Sequence, residues 1–406
     1  MGEIFTSIPR PVFRNTRGAP LPGKKGRPRN PQHNEERIQS LEEHHPLTLE
    51  VSSRIQSSSE QSLDNMKLLD HLMTRKPDSP DSSQNSDALG RDPLHHQALL
   101  LSFTYHCILH LIYEFSALDI ARQRPSKEAY YRSLAEQHSF AGLRGATDLI
   151  RRMDENDCHA IYTSSTLACI NFFAKGPQEG EYLFFSESGP PQWLPLIWGI
   201  RTIIDMVGLE KIVAGPLGKR PDEPPRQANE LGAQLFKCPR LDWIDYFEGL
   251  QTFVAASTDR DSALDLDALQ KLTWCYTAMY GKEDGTFLSD ANQQNLFIWP
   301  YQLHEKFAER IQTKKPIPLI ITAHFALLLQ NYEYIWFVKG WSDHVITGVS
   351  RHLDSEYQHW LRWPIEQARR IREARAATVL AEEQKSPEAQ MTSVSHSQIH
   401  IMHVQQ

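Results

Sequence analysis

Ser102, His106, His110 and Glu114 recur at every fourth residue. On a continuous helix that interval stacks side chains along one slanting stripe, so His-x-x-x-His with a carboxylate one turn on has the donor types of a zinc site. The plainer reading is a polar seam between helices, with the imidazoles bonded to neighbouring groups. The sequence supplies no further metal pattern nearby, so the seam is the reading taken, and neither a metal nor a cofactor is expected. His396, His400 and His403 stand in a polar tail that pre-organises no ligand geometry. Gly215–Arg220 has a phosphate-loop flavour, but it lacks the first glycine of that loop and carries Arg220 where a hydroxyl must hold magnesium. No Gly-x-Ser-x-Gly elbow and no His-Glu-x-x-His are present, so the chain is not expected to be an enzyme.

A second group of residues has the chemistry of polyanion contact. Residues 1–30 hold seven basic groups against Glu3, a net +6 on a chain whose total is −7, so the remainder carries −13. A basic arm on an acidic body suits contact with nucleic acid while the body stays soluble. Within the arm, the segment 23–29 (Gly-Lys-Lys-Gly-Arg-Pro-Arg) resembles an AT-hook, whose slim Gly-Arg-Pro backbone lies in the narrow minor groove of A·T-rich DNA. Lys24, Lys25, Arg27 and Arg29 are the DNA-contacting candidates. Lys25 stands where a hook has arginine, exchanging a flat fork for a point charge. A solvated basic linker, or a nuclear-import signal, is the other reading of the same letters.

The elements that must carry these groups read as helices. Leu94–Ala121 is the longest apolar stretch, free of Pro and Gly, and reads as a helix or as two helices with a tight join, with the rest of the body as its cover. It is not expected to span a membrane, because His106, His110 and Glu114 fall in its middle and an ionisable group in hydrocarbon costs about 3 kcal/mol. A mean hydropathy of −0.48 points the same way. Further helices are expected over 63–73, 126–153 (capped by Ser126), 158–173 (opened by Asn156 and Asp157), 193–207, 242–256, 262–280, 301–311, 318–332, 333–353 and 357–376. Residues 77–93 and the Pro- and Gly-rich 215–227 read as loops. No alternating strand pattern occurs. The expected class is all-α, a multi-helix stack of antiparallel helical hairpins. It divides into a disordered basic arm over 1–62, a helical body over 63–377 and a disordered tail over 378–406. Five scattered cysteines, at 107, 158, 169, 238 and 275, lie mostly in apolar runs and fit small buried hydrophobes in a reducing compartment.

Placed in order, several of these segments resemble the regulatory domain of fungal zinc-cluster transcription factors of the sterol-uptake-control type. The resemblance is carried by Leu101–Ala121 (Leu-Ser-Phe-Thr-Tyr-His-Cys-Ile-Leu-His-Leu-Ile-Tyr-Glu-Phe-Ser-Ala-Leu-Asp-Ile-Ala) and by Asn156–Ser165. Trp299-Pro300, Ala323-His-Phe-Ala326, Gly340-Trp341 and Trp360-Leu-Arg-Trp363-Pro364 follow in the family's order. The resemblance spans about 63–376 and implies a helical effector domain that dimerises, in some members binds a sterol or other apolar ligand, and governs RNA polymerase II transcription in the nucleus. His106 stands where the family has proline, so the Leu94–Ala121 rod is expected to run unbroken, and Asp119 replaces a histidine. The family's binuclear cluster needs six closely spaced cysteines, and this chain has five, the first at 107, so an intact cluster is excluded here. Either an upstream exon encodes it, or regulation runs through the basic arm or a partner. The expected partners are therefore DNA, an apolar small-molecule ligand and a second subunit in a homo- or hetero-dimer. The alternative is a non-DNA-binding module or corepressor that dimerises with an intact paralogue. Trp299, His324, Phe325, Trp336 and Trp341 would line a ligand space between helices, but aromatics at these spacings read first as core, and none is assigned to a site.

Overall fold

The computed structural model describes residues 47–74, 93–152, 154–208, 241–281 and 295–385, and these form thirteen α-helices and no strand. The helices are α1 (Leu47–Thr74), α2 (Pro93–Ser102), α3 (His106–Gln123), α4 (Glu128–Arg152), α5 (Cys158–Ala174), α6 (Trp193–Val207) and α7 (Ile244–Ala255), followed by α8 (Ser262–Tyr280), α9 (Asn295–Gln302), α10 (Glu305–Gln312), α11 (Pro316–Gln330), α12 (Trp341–His352) and α13 (Arg362–Lys385). The all-α expectation holds. No helix among the described residues is long and apolar enough to cross a membrane. The chain divides into two compact units, Met1–Glu60 and Gln61–Gln406, and of the first only the opening of α1 is described. Lys24, Lys25, Arg27, Arg29, the segments 77–92 and 215–227 expected as loops, Cys238 and the three tail histidines lie outside the described residues.

The apolar rod at 94–121 is two helices and not one. The α2 helix stops at Ser102, whose hydroxyl bonds back to the carbonyl of Leu99 at 2.7 Å, and the amides of Thr104 and Tyr105 both turn onto the carbonyl of Leu101. A hydroxyl that competes for backbone groups weakens a helix at that point, and here the break occurs without a proline at 106. Packing also shifts the centre of the body. In α11 every residue from Pro318 to Gln330 is buried, and the largest hydrophobic cluster forms around it, from α5 through α13. The rod contributes two smaller clusters, one with α1, α4, Ala174 and Trp336, the other with Leu149 of α4 and with α5 and α6. Glycine sets the closeness of α3 and α4: a Cβ on Gly142 would lie 2.8 Å from Leu111 Cγ, and one on Gly145 would lie 2.7 Å from Cys107 Cβ.

Several boundaries differ from expectation, each for a physical reason. The first helix starts at Leu47, well before 63, and the last runs on to Lys385, past 378. Ser126 sits inside a 3₁₀ turn, Pro125–Lys127, and does not cap α4. At the start of α5 it is Asp154 whose carboxylate accepts from the Asn156 amide at 2.9 Å, while Asp157 takes the Tyr105 hydroxyl at 2.9 Å. The expected helix over 301–311 is interrupted, because Arg201 of α6 satisfies the carbonyls of Tyr301 and Leu303 at 3.1 and 3.0 Å and His304 caps α10 through the Lys306 amide. Residues 331–340 form turns in place of helix. There Gly340 adopts φ +84°, and the Glu333 carboxylate receives both its amide, at 3.1 Å, and the Gln330 side chain, at 2.7 Å.

Candidate functional site

The four-residue stripe does not survive as a stripe, since the break after α2 separates Ser102 from the others. What the fold builds instead is a polar seam between α3, α4 and α5. From α3, His110 meets His138 of α4, with Nδ1 to Nδ1 at 2.9 Å and ring centroids 5.2 Å apart, and Tyr113 lies 5.1 Å from the same ring. One turn on, Glu114 is 1% exposed; its Oε2 accepts from Asn171 Nδ2 at 2.8 Å, and its Oε1 lies 3.2 Å from Lys175 Nζ. Asn171 also donates to the Leu111 carbonyl at 2.9 Å, which ties α5 to α3 in mid-helix. The amide and ammonium together offset the cost of burying the Glu114 carboxylate. His138 is 2% exposed and its Nε2 is buried without a partner.

The electrostatics keep both imidazoles neutral. Burial, and then the neighbouring His110, push His138 down to about 4. Burial, and then His106, lower His110. Among the described residues no three His, Cys, Asp or Glu side chains gather as a metal site. The contacts of His110, His138, Glu114 and Asn171 make a hydrogen-bonded polar seam between helices, the plainer of the two arrangements the sequence allows. His138 carries no sequence signal of its own, since it is brought to His110 by the α3–α4 crossing alone.

Two further polar inclusions position the body. Asp119, fully buried in α3, receives His71 of α1 at 2.9 Å, Arg122 at 2.9 Å and Gln123 at 3.0 Å, and the Arg122 guanidinium lies 5.1 Å over the Trp336 ring. Where the resemblance has histidine at 119, this chain places an acid and supplies a histidine from 71. In α11, His324 is fully buried, with its ring stacked on Tyr246 and Trp363 at 5.5 and 5.9 Å. Its Nδ1 lies 2.7 Å from the Ile320 carbonyl, which can only accept, so Nδ1 bears the hydrogen and Nε2 presents a buried lone pair with no partner. Burial pushes this imidazole down to about 4 as well.

The five aromatic-space residues do not line one chamber. Trp299 stacks on Phe325 at 4.8 Å, His324 faces Tyr246 and Trp363, Trp341 packs on Phe172 and Phe173, and Trp336 on Phe115. They are core. Two open hollows are lined by described residues: one of about 320 Å³ by Asp267, Gln270, Lys271, Trp274 and Gln302, and one of about 260 Å³ at Asp259, Arg310, Lys315 and Tyr357. The second has mainly polar walls, whereas the first exposes more apolar than polar surface. The four described cysteines are buried thiols, and burial pushes Cys275 up to about 12, as small core hydrophobes behave.

A pH test follows for His324. Its folded form resists protonation and its unfolded form titrates near the ordinary histidine value. Its contribution is therefore complete above about pH 6.5 and is lost as pH falls towards 4, by at most about 3 kcal/mol. Urea midpoints should fall across that window, and His324→Phe should reduce proton uptake on unfolding by about one.

Against known proteins, no family model matches this chain and no curated protein is similar to it.

Proposed function

We propose that this chain is a nuclear regulator of RNA polymerase II transcription of the fungal zinc-cluster type, a basic arm joined to a helical, non-catalytic effector body. The reading rests on the sequence resemblance, and one structural observation supports it. The stretches that carry the resemblance lie far apart in the chain, yet they supply packed side chains to one helical unit. Trp299 stacks on Phe325, Trp341 Nε1 donates to the Phe173 carbonyl at 3.1 Å, and Trp363 lies on His324, which is the convergence expected of motifs that define a fold. An apolar ligand, in this reading, enters by parting helices around α11 and shifts the balance between two packings, exposing a surface for a second subunit or for the transcription machinery. DNA is contacted weakly through Lys24, Lys25, Arg27 and Arg29.

Gel shifts with A·T-rich duplex test the arm. Four cations that neutralise three or four phosphates predict roughly a hundredfold loss of affinity between 50 and 200 mM salt. Arg27→Ala should weaken binding and reduce the salt slope by about one. Binding by neither protein removes direct DNA contact and leaves the corepressor form, in which an intact paralogue supplies the DNA-binding module.

A further inference from the structure

Two imidazoles whose Nδ1 atoms lie 2.9 Å apart can bond only if one of them carries a hydrogen there and the other does not. We propose that the His110–His138 contact is a proton-operated latch between α3 and α4: one hydrogen between the rings closes it, and a second forces it apart. A first extra proton can rest on Nε2 of half-buried His110 and leave the N–H···N bond intact. The next has no such place. It would either set two Nδ1 hydrogens face to face or put a charge on the His138 ring, whose Nε2 is buried and unpartnered.

The surroundings do not relieve that charge. From α3, His106 disfavours charge on His110 and Tyr113 offers a neutral ring. Glu114, the one carboxylate of the seam, is already engaged by Asn171 and by Lys175 at the end of α5. Lys175 also donates to Ser139, next to His138, at 3.4 Å, so a fixed cation stands beside the pair. The depressed titration of His138 agrees with this placement. At the same crossing Gly142 and Gly145 seat α4 directly against Leu111 and Cys107 of α3, so parting the two rings disturbs a closely packed contact. Opening would uncover Cys107, Ile108 and Leu111 on α3 and Leu149 on α4.

Hydrogen exchange on the full chain at pH 7.5, 6.0 and 5.0, corrected for intrinsic exchange rates, reads the latch directly. Amides of residues 128–152 should gain about ten- to thirtyfold in opening between pH 7.5 and 5.0, the ratio expected when an open state titrates near 6.5 and the closed one near 4. Residues 316–330 report on His324 separately. His138→Phe, which fills the space without titrating, and His110→Asn, which keeps hydrogen-bonding capacity without titrating, should each abolish the acid response of 128–152. If one variant fails to fold, the other decides. A flat profile in the wild type, or an acid response kept by a folded variant, overturns the latch.

Discussion

Arg310→Ala is expected to lower the stability of the body by about 3–5 kcal/mol, the range for removing one partner of a buried ion pair. Arg310 is 8% exposed and holds fully buried Asp265 through Nε at 3.0 Å and a terminal nitrogen at 2.8 Å. The same guanidinium takes Asp259 at 3.2 and 3.0 Å, with Asp261 at 3.7 Å. One cation from α10 thus gathers three acids from the start of α8 and the turn before it. Without it, Asp265 is a buried anion with two like charges near by. Burial already raises the Asp265 carboxyl despite the arginine, whereas Arg310 lowers that of Asp259. The variant should therefore recover part of its loss as pH falls, since a protonated Asp265 needs no cation. Urea midpoints at pH 7 and pH 5 check both parts. Lysine cannot make the paired contacts, so Arg310→Lys should recover little.

Gly348→Ala is the second large effect. A methyl at that position of α12 would overlap Cδ1, Cε1 and Cγ of Tyr182. The ring has no room to yield. It is 1% exposed, stacked at 4.8 Å on both Phe185 and His344, and tethered by its hydroxyl to Glu187 at 3.1 Å. Forcing extra volume into a closed core costs about 1–3 kcal/mol and sometimes more. Here the backbone of the 178–187 turn would have to move, so thermal midpoints should fall steeply. Tyr182→Leu in the same molecule should give back part of the loss, because the two changes share one contact and do not add.

Much of the fold was legible because its punctuation is local. The helices at 193–207 and 262–280 match expectation to the residue, the first entered through Pro190-Pro191 and both closed by a glycine, Gly208 and Gly281. The departures arise where distant groups decide. Nothing near Tyr301 announces that Arg201 will take its carbonyl and end α9. Nothing near Asp119 announces His71, and His138 stands in an ordinary amphipathic run with its partner in another helix. Apolar content ranked 94–121 as the centre, but α11 holds that place because it is covered on every side, a property of packing that periodicity does not encode. The site reading divided in the same way. A polar seam could be read from the spacing of His110 and Glu114, while Asn171 and Lys175, which make the buried carboxylate tolerable, could not.

The regulatory assignment is tested most directly by fusing the full chain to a heterologous DNA-binding module of known site and measuring a reporter that carries that site. The account predicts output clearly above or below that of the module alone. Output equal to the module alone, from a fusion shown to be folded and nuclear, would contradict it.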